Sequence, residues 1–385
     1  MIKRLISFFF ILTQSKIFLK KPKPSQVIFI GKPQFHFSLF SEVNFDQLIA
    51  NENNTIGVWK EYFYLHIIIK CLLKFKFSFQ EYCEEYIKLV KPKLIITFLD
   101  NYDIIYKLKA KNSKKIVVQN SYRYGSNILN FKSKEIDKNS IDHFFVYNKN
   151  IGNFINKHLN CKIHPVGSFL LNSLDFDTQL NVKYKYLYVS AYRRVDSNNN
   201  KISSYTSYNK FQEQEKKLVK LLSQYLFQAN QTLNILGGNK YLDDEEYKYF
   251  KDILRENKNW NFIKPEKRHY SFPYRCVNSA EIILGIDSSL LYESIALGKK
   301  TIFFNCRVLD KYLSENRYFG WPKKFDDEGF FWTKSLSLDS ISSKINSIDK
   351  LSKNEWNDGI KDYKSHLLNY DKSNKIFNHT VSKIF

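Results

Sequence analysis

The segment GIDSSLLYESIALGKK, residues 285–300, sets a carboxylate and two hydroxyls, Asp287, Ser288 and Ser289, between an apolar run and an amphipathic one. A second carboxylate, Glu293, follows one turn later. With 281–284 as a strand and 290–297 as a helix, the first three residues lie at a helix N-terminus. Free N–H groups and the positive end of the helix dipole favour a phosphate there. The serine hydroxyls add donors, and Glu293 is placed to accept hydrogen bonds from ribose hydroxyls beyond a diphosphate. The same residues also describe an ordinary capped helix, with Asp or Ser as N-cap, Glu293 as a capping-box acid and Gly298 as the stop. The spacing leaves both readings open.

Two further groups carry chemistry. Arg193 and Arg194 follow the apolar run 186–190, at what would be a strand's carboxyl end. Adjacent arginines there would grip phosphate oxygens bidentately, or form a solvated loop pair. Asp100 and Asn101 end the run 94–99, and Gln119, Asn120 and Arg123 follow the next run. Asp100 suits a catalytic carboxylate or one that orients a hydroxyl. Asn101, Gln119, Asn120 and Arg123 suit an acceptor sugar, with Glu61 a weaker candidate of the same kind. A turn pair is the plainer reading of Asp100-Asn101. His36 and His269 stand alone, and no cluster has metal-ligand spacing. There is no GxGxxG, phosphate-binding P-loop or GxSxG elbow.

The elements that must position these residues alternate. Short apolar runs at 26–31, 94–99, 115–120, 143–147 and 163–168 are separated by amphipathic stretches such as 61–73 and 79–90. The pattern resumes at 186–190, 232–236, 260–263, 281–284 and 301–304. Near-continuous apolar runs mark strands buried on both faces, and their alternation with helices predicts βαβ units in parallel sheets. The fold class expected is α/β, with two Rossmann-like doubly wound domains facing a cleft. Strand carboxyl ends and helix N-termini would line that crevice. The boundaries read as a basic N-terminal segment at 1–24, one domain at 25–175, a second at 183–340, and a helical tail at 341–385.

Composition narrows the partners. The 385 residues carry a net charge of +22, but only nine of the 60 basic residues are Arg. Abundant Asn, Ile, Lys and Tyr fit an AT-rich coding bias better than a phosphate-binding surface, and no nucleic-acid-binding motif is present. Nucleic acid is therefore not an expected partner. Five dispersed cysteines without a CxxC pair read as reduced thiols of a cytosolic protein. The start, MIKRLISFFFILTQSKIFLKK, has an apolar core too short to span a bilayer. It reads either as a basic amphipathic segment on the inner leaflet or as an ordinary packed element. The expected location is the cytoplasm, with a peripheral association at the inner face of the membrane.

Taken together, Pro92-Lys93-Leu94-Ile95-Ile96-Thr97-Phe98-Leu99-Asp100-Asn101, Gln119-Asn120 with Arg123, Val166-Gly167-Ser168, and Asp287-Ser288-Ser289 with Glu293 and Gly298-Lys299-Lys300 resemble the bacterial surface carbohydrate biosynthesis proteins. The resemblance runs from about Gln26 to Arg307. The family often has Gly where this chain has Ser121, and Thr where it has Ser289, which keeps the hydroxyl. The resemblance implies a GT-B-like arrangement and a nucleotide-sugar-dependent glycosyltransferase of capsule or O-antigen assembly, acting on a glycan or lipid-linked glycan. It implies a donor site in the second domain at Arg193, Arg194, Asp287, Ser288, Ser289 and Glu293. No cofactor or metal is expected. A sugar-nucleotide epimerase, a polyol-phosphate transferase and a non-catalytic scaffold of a glycan assembly complex are the alternatives.

Overall fold

The structure, a computed structural model, describes residues 16–30, 55–56, 62–122, 136–175, 182–192, 202–238, 244–255, 257, 259–265, 271–309 and 318–384. The chain forms two units. Unit 1 comprises Met1–Ser121, Ser126–Ser173 and Tyr370–Phe385, and unit 2 comprises Tyr122–Gly125 and Leu174–Asn369.

In unit 1 the strands are β1 (Lys16–Phe18), β2 (Val27–Ile30), β3 (Thr55–Ile56), β4 (Tyr62–Tyr64), β5 (Leu94–Thr97), β6 (Lys114–Val118), β7 (His143–Val146) and β8 (Lys162–Pro165). The helices between them are α1 (Leu65–Leu73), α2 (Phe79–Val90), α3 (Ile104–Lys107), α4 (Lys149–Asn156) and α5 (Phe169–Asn172). Six strands form one parallel sheet in the order β3-β2-β5-β6-β7-β8. All four residues of β2 and of β5 are buried, as their unbroken apolar sequences predict. Each later strand is laid beside the one before it, except at β2, where the chain adds β3 on one side and β5 on the other. That reversal is the topological switch point, and loops beyond the carboxyl ends of the strands flank it.

The run 61–73 does not begin as a helix. Tyr62–Tyr64 pairs in parallel with β1, Lys16 opposite Tyr62, and the helix starts only at Leu65. A local sequence pattern cannot show a partner strand some 45 residues away, and here the pairing overrides it.

Unit 2 contains β9 (Tyr184–Val189), α6 (Ile202–Gln228), β10 (Leu233–Leu236), α7 (Glu245–Ile253), β11 (Trp260–Ile263), α8 (Phe272–Asn278), β12 (Ala280–Gly285), α9 (Ser289–Ala296), β13 (Lys300–Phe304), β14 (Glu328–Gly329), β15 (Trp332–Thr333), α10 (Leu338–Asp349) and α11 (Lys353–Leu367). Its sheet runs β11-β10-β9-β12-β13-β15-β14, and only β14 is antiparallel. Without that edge, the order is the 3-2-1-4-5-6 of doubly wound dinucleotide-binding sheets, with the switch point between β9 and β12.

The segment read as one C-terminal tail serves both units. Helices α10 and α11 belong to unit 2, whereas α12 (Lys375–Ser382) belongs to unit 1. There Phe377 and Val381 complete the core built by Phe29, Ile96, Phe98, Val118, Phe145 and Phe169. Buried Asn374 fastens the return, accepting from Asn172 Nδ2 at 3.1 Å and donating to the Phe169 carbonyl at 2.9 Å. All five cysteines are free thiols, and four are buried.

Candidate active site

Unit 1 gathers four expected residues at the carboxyl ends of β5 and β6. The Thr97 hydroxyl donates to the Ile30 carbonyl at 2.8 Å and accepts from Leu99 N–H at 3.1 Å. This ties the end of β5 to β2 and turns the chain into Asp100. Asp100 is buried. Its Oδ1 receives the Asn120 N–H at 3.5 Å, and its carbonyl accepts the Tyr106 hydroxyl at 2.6 Å. One residue of the turn is thus held from β6 and from α3 together.

The neighbours divide by exposure. Gln119 is buried and committed: its Oε1 accepts from Tyr147 N–H at 3.0 Å and its Nε2 donates to the Ser121 carbonyl at 2.9 Å. It splices the ends of β6 and β7. Asn120 is half-buried and Asn101 is exposed. Glu61 and Arg123 lie outside the described residues. A cavity of about 780 Å³ in unit 1 lies elsewhere, near the start of β6, lined by Tyr106, Lys107, Lys115, Ser140 and Asp142 among others. Position relative to the switch point, not cavity size, is what singles out Asp100.

In unit 2, α9 opens directly beyond β12, beside the switch point. Ser288 is its N-cap and accepts from Leu290 N–H at 3.4 Å. Gly285 allows the close approach of helix and strand. A Cβ there would sit 2.9 Å from Leu291 Cδ1 and 3.2 Å from the Val189 carbonyl oxygen. Gly298, at φ +75°, ends the helix in the left-handed conformation glycine favours. Glu293 is not a capping-box acid. It is buried in the helix and accepts the Tyr274 hydroxyl of α8 at 2.9 Å. The capped-helix reading therefore accounts for Ser288 and Gly298 but not for the placement of Glu293.

The other residues of the segment have partners in the same unit. Ser289 Oγ accepts the Tyr122 N–H at 2.8 Å. The Tyr122 ring lies flat on Tyr292, centroids 3.6 Å apart and planes 2° from parallel, and its hydroxyl donates to the Trp321 carbonyl at 2.8 Å. Asp287 is ion-paired with Arg307, which is 3% exposed. The expected phosphate contact through Asp287 is thus a carboxylate already matched by a cation. Arg193 and Arg194 lie outside the described residues, as do His36 and His269.

Sequence reasoning passed over three side chains here. Arg307 follows β13 by three residues, and an arginine among only nine, just past an apolar run, was a usable signal. Glu215 and Glu246 carried none, because they lie in ordinary helical polar sequence. Both are buried. Glu246 takes the Gly238 N–H with both oxygens, at 2.9 and 3.1 Å. Glu215 takes the Ala191 N–H at 2.8 Å, the Tyr188 hydroxyl at 2.9 Å and the Tyr249 hydroxyl at 3.3 Å. Burial pushes its pKa up to about 6. The Ala191 and Tyr188 hydrogen bonds and the charge of Arg307 oppose that rise without cancelling it. These acids hold the loops at the carboxyl ends of β9 and β10.

Two Rossmann-like units with helices packed on parallel sheets define a GT-B-like fold, and solved structures share it. The wall teichoic acid polymerase TagF is 11% identical, with a TM-score of 0.52 over 95% of this chain and 89% of that one. The UDP-GlcNAc 2-epimerase of Methanocaldococcus jannaschii is 12% identical, with a TM-score of 0.51 over 92% and 99%. The pneumococcal O-GlcNAc transferase GtfA is 13% identical, with a TM-score of 0.46 over 80% of this chain, which spans about 60% of that protein's length. The chain belongs to the family described as "putative O-antigen biosynthesis protein", which matches it over residues 116–384. No curated protein matches it in sequence.

Proposed function

We propose that the chain is a glycosyltransferase that moves a sugar from a nucleotide-sugar donor to a glycan or lipid-linked glycan in the assembly of O-antigen or a similar surface polysaccharide such as capsule. The observation that carries this reading is the switch point of unit 2. There the N-terminus of α9, with Ser288 and Ser289, stands beside a buried acid, Glu293, that accepts the Tyr274 hydroxyl. Helix N–H groups and serine hydroxyls would meet the diphosphate, and Glu293 would exchange Tyr274 for a ribose hydroxyl. Arg193 and Arg194 would add charge against the leaving phosphate, so the reading calls for no metal. In unit 1, Asp100 would take the acceptor's proton or support the oxocarbenium, while Asn101, Asn120, Glu61 and Arg123 hold the acceptor. The basic segment 1–24 would keep the enzyme at the inner face of the cytoplasmic membrane. Among the described residues no helix is long and apolar enough to cross a membrane.

The test is a thermal-shift comparison of the full chain and Glu293→Ala against UDP, GDP, CDP, CMP, dTDP and their sugars. A ligand that binds only the folded state raises the melting temperature. One nucleotide should stabilise the wild type by several degrees and the variant by far less. Stabilisation of neither protein by any nucleotide would end the donor-site reading and favour a scaffold. With the nucleotide known, conversion of its sugar without any acceptor would mark an epimerase on the same site. Release of a polyol phosphate to a polymer would mark the other transferase.

A further inference from the structure

We infer that the outer face of α1, with the turn that follows it, is a docking surface for an anionic phospholipid bilayer. The inference does not rest on the transferase reading. Helix α1 reads LHIIIKCLL, apolar on both sides. Ile67, Ile68 and Cys71 face the core. A second stripe, Leu65, Ile69, Leu72 and Leu73, follows the i, i+4, i+7, i+8 spacing on the other side. Ile69 is 46% exposed and Leu73 75%. A surface helix ordinarily presents polar residues there, and a helix apolar all round needs an apolar environment on both faces.

The turn continues the stripe. Phe75 is 76% exposed and sits at φ +53°, the helix-ending conformation that glycine favours. A bulky aromatic is thus displayed at a position where it costs backbone energy. At the other end of the helix, β1, paired with β4, adds exposed Ile17, and Leu19 follows at 79%. The pairing of Phe18 with Tyr64 brings this segment to the start of α1, where desolvation, and then the charges of Lys21 and Lys70, hold His66 below its usual pKa.

Charge decides which partner fits. Lysines at 20, 21, 23, 70, 74, 76 and 88 accompany the apolar residues. Glu85 takes Lys74, Lys76 and Lys88 at 2.9–3.1 Å, and Glu81 and Glu84 also act on Lys76, so the positive excess rests on the lysines at 20, 21, 23 and 70. Exposed leucine and phenylalanine among lysines is the composition that lies in a headgroup layer, with apolar tips among the acyl chains and ammonium groups at anionic phosphates. A protein partner with an acidic rim is the competing occupant.

The experiment is co-sedimentation of the full chain with vesicles of phosphatidylcholine alone and of phosphatidylcholine with phosphatidylglycerol. The wild type should bind the anionic vesicles and not the neutral ones. Leu73→Ser with Phe75→Ser should weaken that binding at least ~10-fold, since both side chains lose their transfer into the apolar layer. Both side chains face solvent, so the melting temperature should hold. Lys21→Gln with Lys70→Gln, which touches no core residue, should weaken binding on the order of tenfold. Phe227→Ser, which removes an exposed aromatic of unit 2, should change nothing. Absence of wild-type binding, or full binding by both double variants, overturns the inference. So does a lipid-free dimer that the Leu73/Phe75 variant dissolves, since the face would then be a protein interface.

Discussion

The carboxyl ends of the two parallel sheets are built on opposite plans. In unit 1 the turn after β5 carries Asp100, which is buried and receives the Asn120 N–H at 3.5 Å. In unit 2 four acids crowd the same region, and each has a short, defined partner. Glu215 holds Ala191, Glu246 holds Gly238, Asp287 holds Arg307, and Glu293 holds the Tyr274 hydroxyl. Three of these partners belong to strand-end loops or the residues just beyond them. Glu215 and Glu246 therefore set backbone shape, whereas Asp100 is buried at a strand end between the half-buried Asn120 and the exposed Asn101. A group that shapes a loop gains from being fully satisfied. In the function proposed, the Asp100 carboxylate would instead exchange a proton with the acceptor.

That contrast is broken most directly at Asp100. In the function proposed, Asp100→Asn should lower turnover by roughly 10²–10⁴-fold, the usual worth of a positioned acid or base. Stabilisation by the donor nucleotide should be unchanged, because the substitution keeps shape and lies in unit 1. Sugar release at the wild-type rate would remove the assignment and leave unit 1 with structural acids as well.

The contrast also explains what could be read in the sequence. The strands were legible because burial on both faces leaves an apolar run, and parallel sheets follow from their alternation with helices. Asp100, Asn120, Ser288 and Ser289 were legible because they directly follow such runs. Glu215 and Glu246 were not, since a helical glutamate that turns inward looks the same as one that faces water. Gln119 was legible as a polar residue at a strand end, but its bond to Tyr147 depends on the adjacency of β7, which the local sequence does not show. The return of α12 to unit 1 was hidden for the same reason: Phe377 and Val381 show an apolar face but not the sheet it covers.

A second test asks whether the unit 2 acids are structural at all. Arg307→Met should destabilise the chain by about 3 kcal/mol in urea unfolding, because it leaves Asp287 largely buried without its cation. Adding Asp287→Asn should restore most of that loss, since the cost lies in the orphaned charge rather than in the missing attraction. If Arg307→Met costs little and the second change restores nothing, the pair is not a stability element. Its charges would then be free for a ligand.

The finest test is Glu215, where the two roles meet in one side chain. Its folded pKa of about 6 lies above the ordinary carboxylate value of 4.5. An acid with a raised pKa binds its proton more tightly in the folded state, so its favourable contribution is full below about pH 4.5. That contribution declines as pH rises and is gone above about pH 6. The ionised form therefore costs the fold on the order of 2 kcal/mol at neutral pH relative to the protonated one. Glu215→Gln keeps an oxygen for Ala191 N–H and the Tyr188 hydroxyl and removes the titration. Its stability relative to wild type should rise by about that amount between pH 4.5 and pH 7, as read from paired unfolding curves. A flat difference across that range would mean that Arg307 and the hydrogen bonds fully compensate the buried charge. Glu215 would then be as completely matched as Asp287, and the contrast between the two sheet ends would be sharper still.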